Sequence, residues 1–182
     1  MNVPDSERLR FRLLDREDAD LFYELDQDPE VMKFINGGKP TKREEIESIY
    51  LPRLESYLNP EQGWGIWGVF LKEDGRFLGW ILVRPMNFFT DERDDSNLEL
   101  GWRFFQREWG YGFATEAAKQ VAKSVETDPS VSRVSALAME GNTASISVMT
   151  KLGMKYVKTY LHRDPLGDAT CVLYERSCPS PN

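Results

Sequence analysis

Arg107-Glu108-Trp109-Gly110-Tyr111-Gly112-Phe113-Ala114-Thr115-Glu116-Ala117 is the stretch on which the fold turns. Leu98 to Phe104, just before it, reads as a strand, and Thr115 to Glu126, just after it, reads as a helix. Two glycines one residue apart at such a junction let the backbone turn tightly and aim N–H groups outward. Those donors, with the positive end of the helix, form a site for phosphate oxygens.

Two better-known glycine loops do not fit. A P-loop needs G-x-x-x-x-G-K-[ST], a string that this chain lacks, and a dinucleotide fingerprint needs a third glycine where Thr115 stands. A lone G-x-G is otherwise a helix entrance that needs no ligand. A second motif adds weight: Gly141-Asn142-Thr143-Ala144-Ser145, running on to Lys151-Leu152-Gly153-Met154-Lys155-Tyr156. Asn142 suits an N-cap, Ile146, Met149 and Leu152 recur at helical spacing, and Gly153 is placed to end the helix in a left-handed conformation.

Outward from these motifs the elements alternate. Residues 9–14 read as a strand, and Asp15-x-x-Asp18 caps a helix to about Gln27. Thr41-x-x-Glu44 is a capping box for a helix to about Leu58, which Pro52 should kink, and Asn36-Gly37-Gly38 with Pro40 links the two helices. Strands at 65–71 and 77–85 flank the turn Glu73-Asp74-Gly75, and 87–97 reads as a polar, highly charged loop. Then come strand 98–104, helix 115–126, strand 132–139, helix 143–151 and strands 155–161 and 170–175, with a turn at Asp164 to Asp168. The expectation is one α/β domain over 1–177 and a frayed tail at 178–182.

A chain of 182 residues, 41% hydrophobic and 29% charged, is the size and composition of one globular domain with a real core. A net charge of -7 lacks the basic footprint of a nucleic-acid binder and is compatible with a cationic substrate, although acidity for solubility alone accounts for it. No apolar run is long enough for a membrane span and the N-terminus lacks an apolar signal segment, so the cytoplasm is the expected location. Cys171 and Cys178 have neither disulfide-framework nor zinc-site spacing, and no metal is expected.

R-x-x-G-x-G (Arg107 to Gly112) with A-T-E-A (Ala114 to Ala117) resembles the acetyl-CoA loop of the GNAT superfamily of N-acetyltransferases. N-x-x-S (Asn142 to Ser145) with K-L-G-M (Lys151 to Met154) is similar to that family's second segment, in the expected order. The opening Glu7 to Arg12 resembles the first strand of the subgroup that includes ribosomal-protein N-terminal acetyltransferases. The resemblance implies an α+β, three-layer fold: a mixed, mostly antiparallel sheet, splayed between the fourth and fifth strands, with helices on both faces. It implies acetyl-CoA as co-substrate, with the pantetheine arm along Trp102, Phe104 and Phe105. The pyrophosphate would lie on Trp109, Gly110, Tyr111, Gly112, Phe113 and Ala114, with Arg107, Thr115, Asn142, Ser145 and Lys151 completing the set.

Acetyl transfer needs a neutral amine, a polarised carbonyl and a protonated leaving thiolate. Glu99, on the fourth strand, is the candidate for the amine proton, directly or through water; the competing reading is a strand residue that is exposed or paired with an Arg. Many superfamily members carry a tyrosine where Met149 stands, and here the resemblance points instead to Ser145 for the sulfur, against a serine that only satisfies backbone. The acceptor would be a primary amine, on a protein N-terminus or on a small molecule such as an antibiotic or polyamine. A non-catalytic acyl-CoA-binding regulatory domain and a module for another phosphate ligand stand as alternatives, and the protein as a monomer or homodimer.

Overall fold

The computed structural model describes residues 1–178. Its strands are β1 (Leu9–Leu13), β2 (Gly65–Leu71), β3 (Phe77–Met86), β4 (Asp94–Phe104), β5 (Arg133–Met139), β6 (Lys155–His162) and β7 (Ala169–Ser177). They form one sheet in the order β1-β2-β3-β4-β5-β7-β6. Every neighbouring pair is antiparallel except β4 and β5. That parallel pair holds only at Asn97↔Arg133, Leu98↔Val134 and Glu99↔Ser135. Beyond Glu99, β4 stays with β3 as far as Phe104 while β5 follows β7, so the sheet opens at the expected strands.

The helices are α1 (Ala19–Leu25), α2 (Pro29–Asn36), α3 (Arg43–Glu45), α4 (Leu51–Tyr57), α5 (Phe113–Val125) and α6 (Thr143–Lys151). Successive strand residues point to opposite faces, so Phe104 and Phe105 enter different cores. One core joins Leu98, Leu100 and Phe104 to Ala117, Val121 and Val125 of α5 and to Met149 of α6. The apolar residues of α5 recur every three to four positions, which gives the helix a single buried stripe. The other core joins Ile66, Phe77 and Phe105 to Leu25, Ile46, Leu51 and Leu54, so α1 to α4 cover the second face.

Four sequence expectations change. Residues 29–36, given no element of their own in the sequence reading, form α2: Asp28 caps the Glu30 N–H, Pro29 occupies the first turn, and Gly37 closes it at φ 79°. The capping box at Thr41 lies one residue on, where Glu45 accepts from the Lys42 N–H (2.8 Å); Thr41 itself turns inward. Pro52 does not kink a continuous α-helix, because a π turn at Ile46–Tyr50 precedes it and pairs the Leu51 N–H with the Ile46 carbonyl. The charged residues 94–97 are strand, not loop, since Asp94 pairs with Met86 and the Ser132 N–H donates to the Ser96 carbonyl (2.8 Å). Local charge hid a strand that its neighbours stabilise. Of the expected tail, Cys178 donates its N–H to the Ser132 carbonyl (2.9 Å), and 179–182 lie outside the described residues. Among the described residues no helix is long and apolar enough to cross a membrane, and no cluster has metal-binding composition.

Candidate active site

Where β4 and β5 part, a cavity of 470 Å³ opens between β4, the glycine loop, α6 and α2. Trp102 and Phe104 line it from β4, Trp109, Gly110, Gly112, Phe113, Ala114 and Thr115 from the loop and the start of α5, and Asn142, Ser145 and Lys151 from the second motif. Residues about 40 positions apart in sequence thus share one wall, because parallel strands place both helix N-termini at the same sheet end.

Three expected residues lie elsewhere. Phe105 alternates to the opposite face and meets Phe77 edge-on at 6.0 Å. The Arg107 guanidinium covers the Phe105 ring at 4.0 Å and reaches Glu108 at 3.4 Å. Tyr111 stacks on Phe113 at 5.8 Å, and with Arg107 it lines a separate 560 Å³ cavity beside Arg8, Lys72 and Arg76.

Gly110 and Gly112 have φ of 82° and 80°, a left-handed region that disfavours any side chain. The first helical bond runs from the Glu116 N–H to the Gly112 carbonyl (3.0 Å), leaving the amides of Phe113, Ala114 and Thr115 without intrahelical acceptors. The loop is braced from the N-terminus, which sequence reading missed. Arg8 donates from Nη1 to the Tyr111 carbonyl (3.0 Å) and from Nε to Glu116 (2.7 Å), and lies over Phe113 at 4.5 Å. Glu116 also accepts from the Ser6 hydroxyl (2.7 Å) and the Arg8 N–H (2.9 Å). Burial works against its charge, but these donors outweigh it and hold the carboxyl below its ordinary pKa.

On the α6 side, Asn142 Oδ1 accepts the Ser145 N–H (3.1 Å), the N-cap expected of it. Ser145 Oγ in turn accepts from Trp102 Nε1 (3.3 Å), so the hydroxyl hydrogen is left to donate. Met149 is fully buried in the core, and Tyr156 is more than half exposed, its hydroxyl on Thr159.

Glu99 is at the fork, the last β4 residue paired with β5, but lines neither cavity. It is buried and held by Arg84 through Nε (2.8 Å) and Nη2 (3.1 Å). The pairing with an Arg that sequence reading allowed for is therefore present. Burial opposes the Arg84 charge, and Glu99 more than restores it, so the guanidinium pKa lies above its usual value. Tyr57 packs edge-on against Phe88 and Phe89 at 5.7 and 6.2 Å beside this pair, and burial pushes its phenol up to about 12. Arg53 lies on Phe89 at 3.7 Å and pairs with Asp164 of the β6–β7 turn. The aromatic residues Phe88 and Phe89 thus join packing to a charged surface, while Trp64 and Trp67 are core.

Comparison with known proteins fits this geometry. The sequence profile of the acetyltransferase (GNAT) domain matches residues 8–155. The chain belongs to the GNAT acetyltransferase family. An uncharacterized protein of Bacillus subtilis, YkkB, is 34% identical over 85% of this chain and 86% of its own length. The FsC-acetyl coenzyme A-N(2)-transacetylase of Aspergillus fumigatus is 29% identical over 86% of this chain, a match spanning 66% of that protein. The solved structure of RimL, a ribosomal alpha-N-protein acetyltransferase in complex with coenzyme A, superposes with a TM-score of 0.73, covering 96% of this chain and 97% of its own at 13% identity. At that identity the likeness establishes the GNAT fold, not membership of the ribosomal-protein subgroup.

Sequence reading also missed the roof of the cavity. Glu30, Val31, Lys33, Phe34 and Ile35 of α2 line it. The signal was present in Asp28-Pro29 at one end and Gly37 at the other.

Proposed function

We propose that this GNAT domain transfers an acetyl group from acetyl-CoA directly to a primary amine. One observation carries the reading: unpaired helix-start amides, the fork of the sheet and the α6 hydroxyl all face a single cavity. The pyrophosphate takes the amides from Trp109 to Ala114, as anions do at helix N-termini. The pantetheine arm follows Trp102 to Phe104, where β4 has lost its β5 partner and its backbone can pair with a ligand.

The amine nitrogen attacks the thioester carbonyl, the C–S bond breaks, the amine gives up a proton and the sulfur gains one. A backbone N–H of β4 polarises the carbonyl. Ser145 supplies its spare hydrogen to the sulfur. Glu99 would receive the amine proton through water, because a direct transfer requires it first to leave Arg84.

The acceptor is a protein N-terminal amine or a small-molecule amine. Transfer from acetyl-CoA to nitrogen has support from the similarity to the A. fumigatus protein named an FsC-acetyl coenzyme A-N(2)-transacetylase. The test is mass spectrometry of products formed from acetyl-CoA with an amine and N-terminal-peptide panel, beside calorimetric titration with acetyl-CoA, ATP and NAD. Acetylated amine plus free CoA supports the proposal; binding of ATP or NAD in place of acetyl-CoA sinks it. Acetyl-CoA binding without turnover would favour the regulatory domain.

A further inference from the structure

The segment that roofs the cavity is closed on itself and latched to the sheet by one carboxylate. Asp26 ends α1 and Thr41 follows α2, so the two bracket everything between. The Thr41 N–H donates to the Asp26 carbonyl (3.3 Å) and its hydroxyl to Asp26 Oδ2 (2.8 Å). Gln27 Nε2 adds bonds to the Thr41 and Tyr23 carbonyls (2.9 Å each). The other Asp26 oxygen, Oδ1, takes Arg103 Nη1 of β4 at 2.5 Å. Arg103 also stacks on Trp80 at 4.9 Å, and it lines the cavity. Asp26 and Thr41 are each only 4% exposed.

Beyond this pin, α2 spans the opening. Phe34 reaches the β5–α6 loop, where its Cε1 would lie 3.4 Å from a Cβ at Gly141, one residue before Asn142. Ile35 of α2 and Trp109 of the glycine loop both line the cavity, yet are 51% and 46% exposed. Large apolar side chains left open on two cavity walls gain burial when a ligand fills the space.

We infer that Asp26 is a positioning residue: by holding Thr41 and Arg103 together it latches α2 over the cavity as the roof against which the acetyl-pantetheine arm packs. The inference rests on the proposed acetyl-CoA function for its ligand, but the latch itself does not. A ligand that orders a loosely held roof gives up part of its binding free energy, whereas a pre-set roof avoids that loss. Asp26 acts through α2 and Arg103, with no contact to the ligand needed.

The test uses the full chain, with Asp26→Asn to weaken the Arg103 contact and Thr41→Val to remove the hydroxyl while leaving the ion pair. Thr41→Val keeps the test open if Asp26→Asn fails to fold. Hydrogen exchange of the apo proteins should speed up about tenfold or more across residues 30–36 and stay unchanged in α5, since local opening is set by local contacts. Calorimetry should show acetyl-CoA affinity weakened about tenfold, with kcat at saturating acetyl-CoA retained, the split expected when binding is lost equally from the ground and transition states. Unchanged exchange in α2, or faster exchange with unaltered affinity, overturns the inference. A wild-type protein that does not bind acetyl-CoA overturns the proposed function and the ligand named here, while the exchange data still decide the latch.

Discussion

Gly110→Ala separates a phosphate-binding loop from a mere turn, because the chain contains its own control. Gly110 has φ 82° and Gly75, in the β2–β3 turn, has φ 75°; a Cβ at either would meet nothing within 4 Å. Alanine therefore brings the same left-handed strain and no clash at both sites. That strain is about 1–2 kcal/mol, and the lower entropy of the unfolded chain returns about 0.4–1 kcal/mol. Each variant should lose about 1 kcal/mol, roughly 2–4 °C in Tm for a chain of this size. Only Gly110 faces the cavity, beside the free amides that open α5. Tilting the loop to relieve the strain displaces at least one N–H from a phosphate oxygen, a charge-assisted bond of about 1.5–3 kcal/mol. Acetyl-CoA affinity should therefore fall about tenfold to hundredfold in Gly110→Ala and hold in Gly75→Ala, read by calorimetric titration. Equal affinity in the two variants, with both folded, would refute the phosphate assignment.

Ser145→Ala should lower kcat about hundredfold or more with little change in acetyl-CoA affinity, if its hydroxyl serves the leaving sulfur; stopped acetylation assays beside calorimetry decide it. Met149→Ala empties a fully buried site and should cost about 2–5 kcal/mol in urea unfolding. Glu116, held below its ordinary pKa, binds protons more readily unfolded than folded, so its stabilisation is present above the unfolded carboxyl value, about 4.3, and is lost as pH falls through the lower folded value. Glu116→Gln should flatten that acid limb in a series of melting curves. Glu99→Gln should destabilise by about 3–5 kcal/mol by leaving Arg84 buried without its partner, and the Arg84→Met/Glu99→Gln pair should recover much of that loss.

The motif residues at and around the cavity were legible because they obey local rules. Gly110 and Gly112 mark a left-handed turn, Asn142 a helix start, and Gly153 a helix end at φ 78°. The fork of the sheet followed from the resemblance that these motifs carry. Where reading failed, the deciding partner was remote. Thr41 looked like a cap until a carboxylate fifteen residues earlier drew it inward. Residues 94–97 looked like loop until β3, Ser132 and the start of β5 paired with them. The pairing of Glu99 could not be read from its own strand, because its partner Arg84 lies fifteen residues earlier on β3. Arg107 belongs to the motif by spacing, yet its side chain serves Glu108 and Phe105 on the outer side of the loop.

Three buried or half-buried carboxylates share this logic and give the acidic composition a second meaning. Glu116 ties residues 6–8 to the start of α5, Asp26 ties Thr41 to β4, and Glu108, 5% exposed, takes Arg76 at 3.3 Å and Arg107 at 3.4 Å behind the glycine loop. A buried ion pair adds little net stability, since desolvation offsets attraction, but breaking one strands a charge. Moving any of these carboxylates away from its donors therefore strands a charge that the fold has partly or wholly desolvated. All three act on segments that bound the cavity, and each reaches across a long stretch of sequence. Together they fix the walls against which two short motifs present their donors, which is why neither motif alone specifies the site.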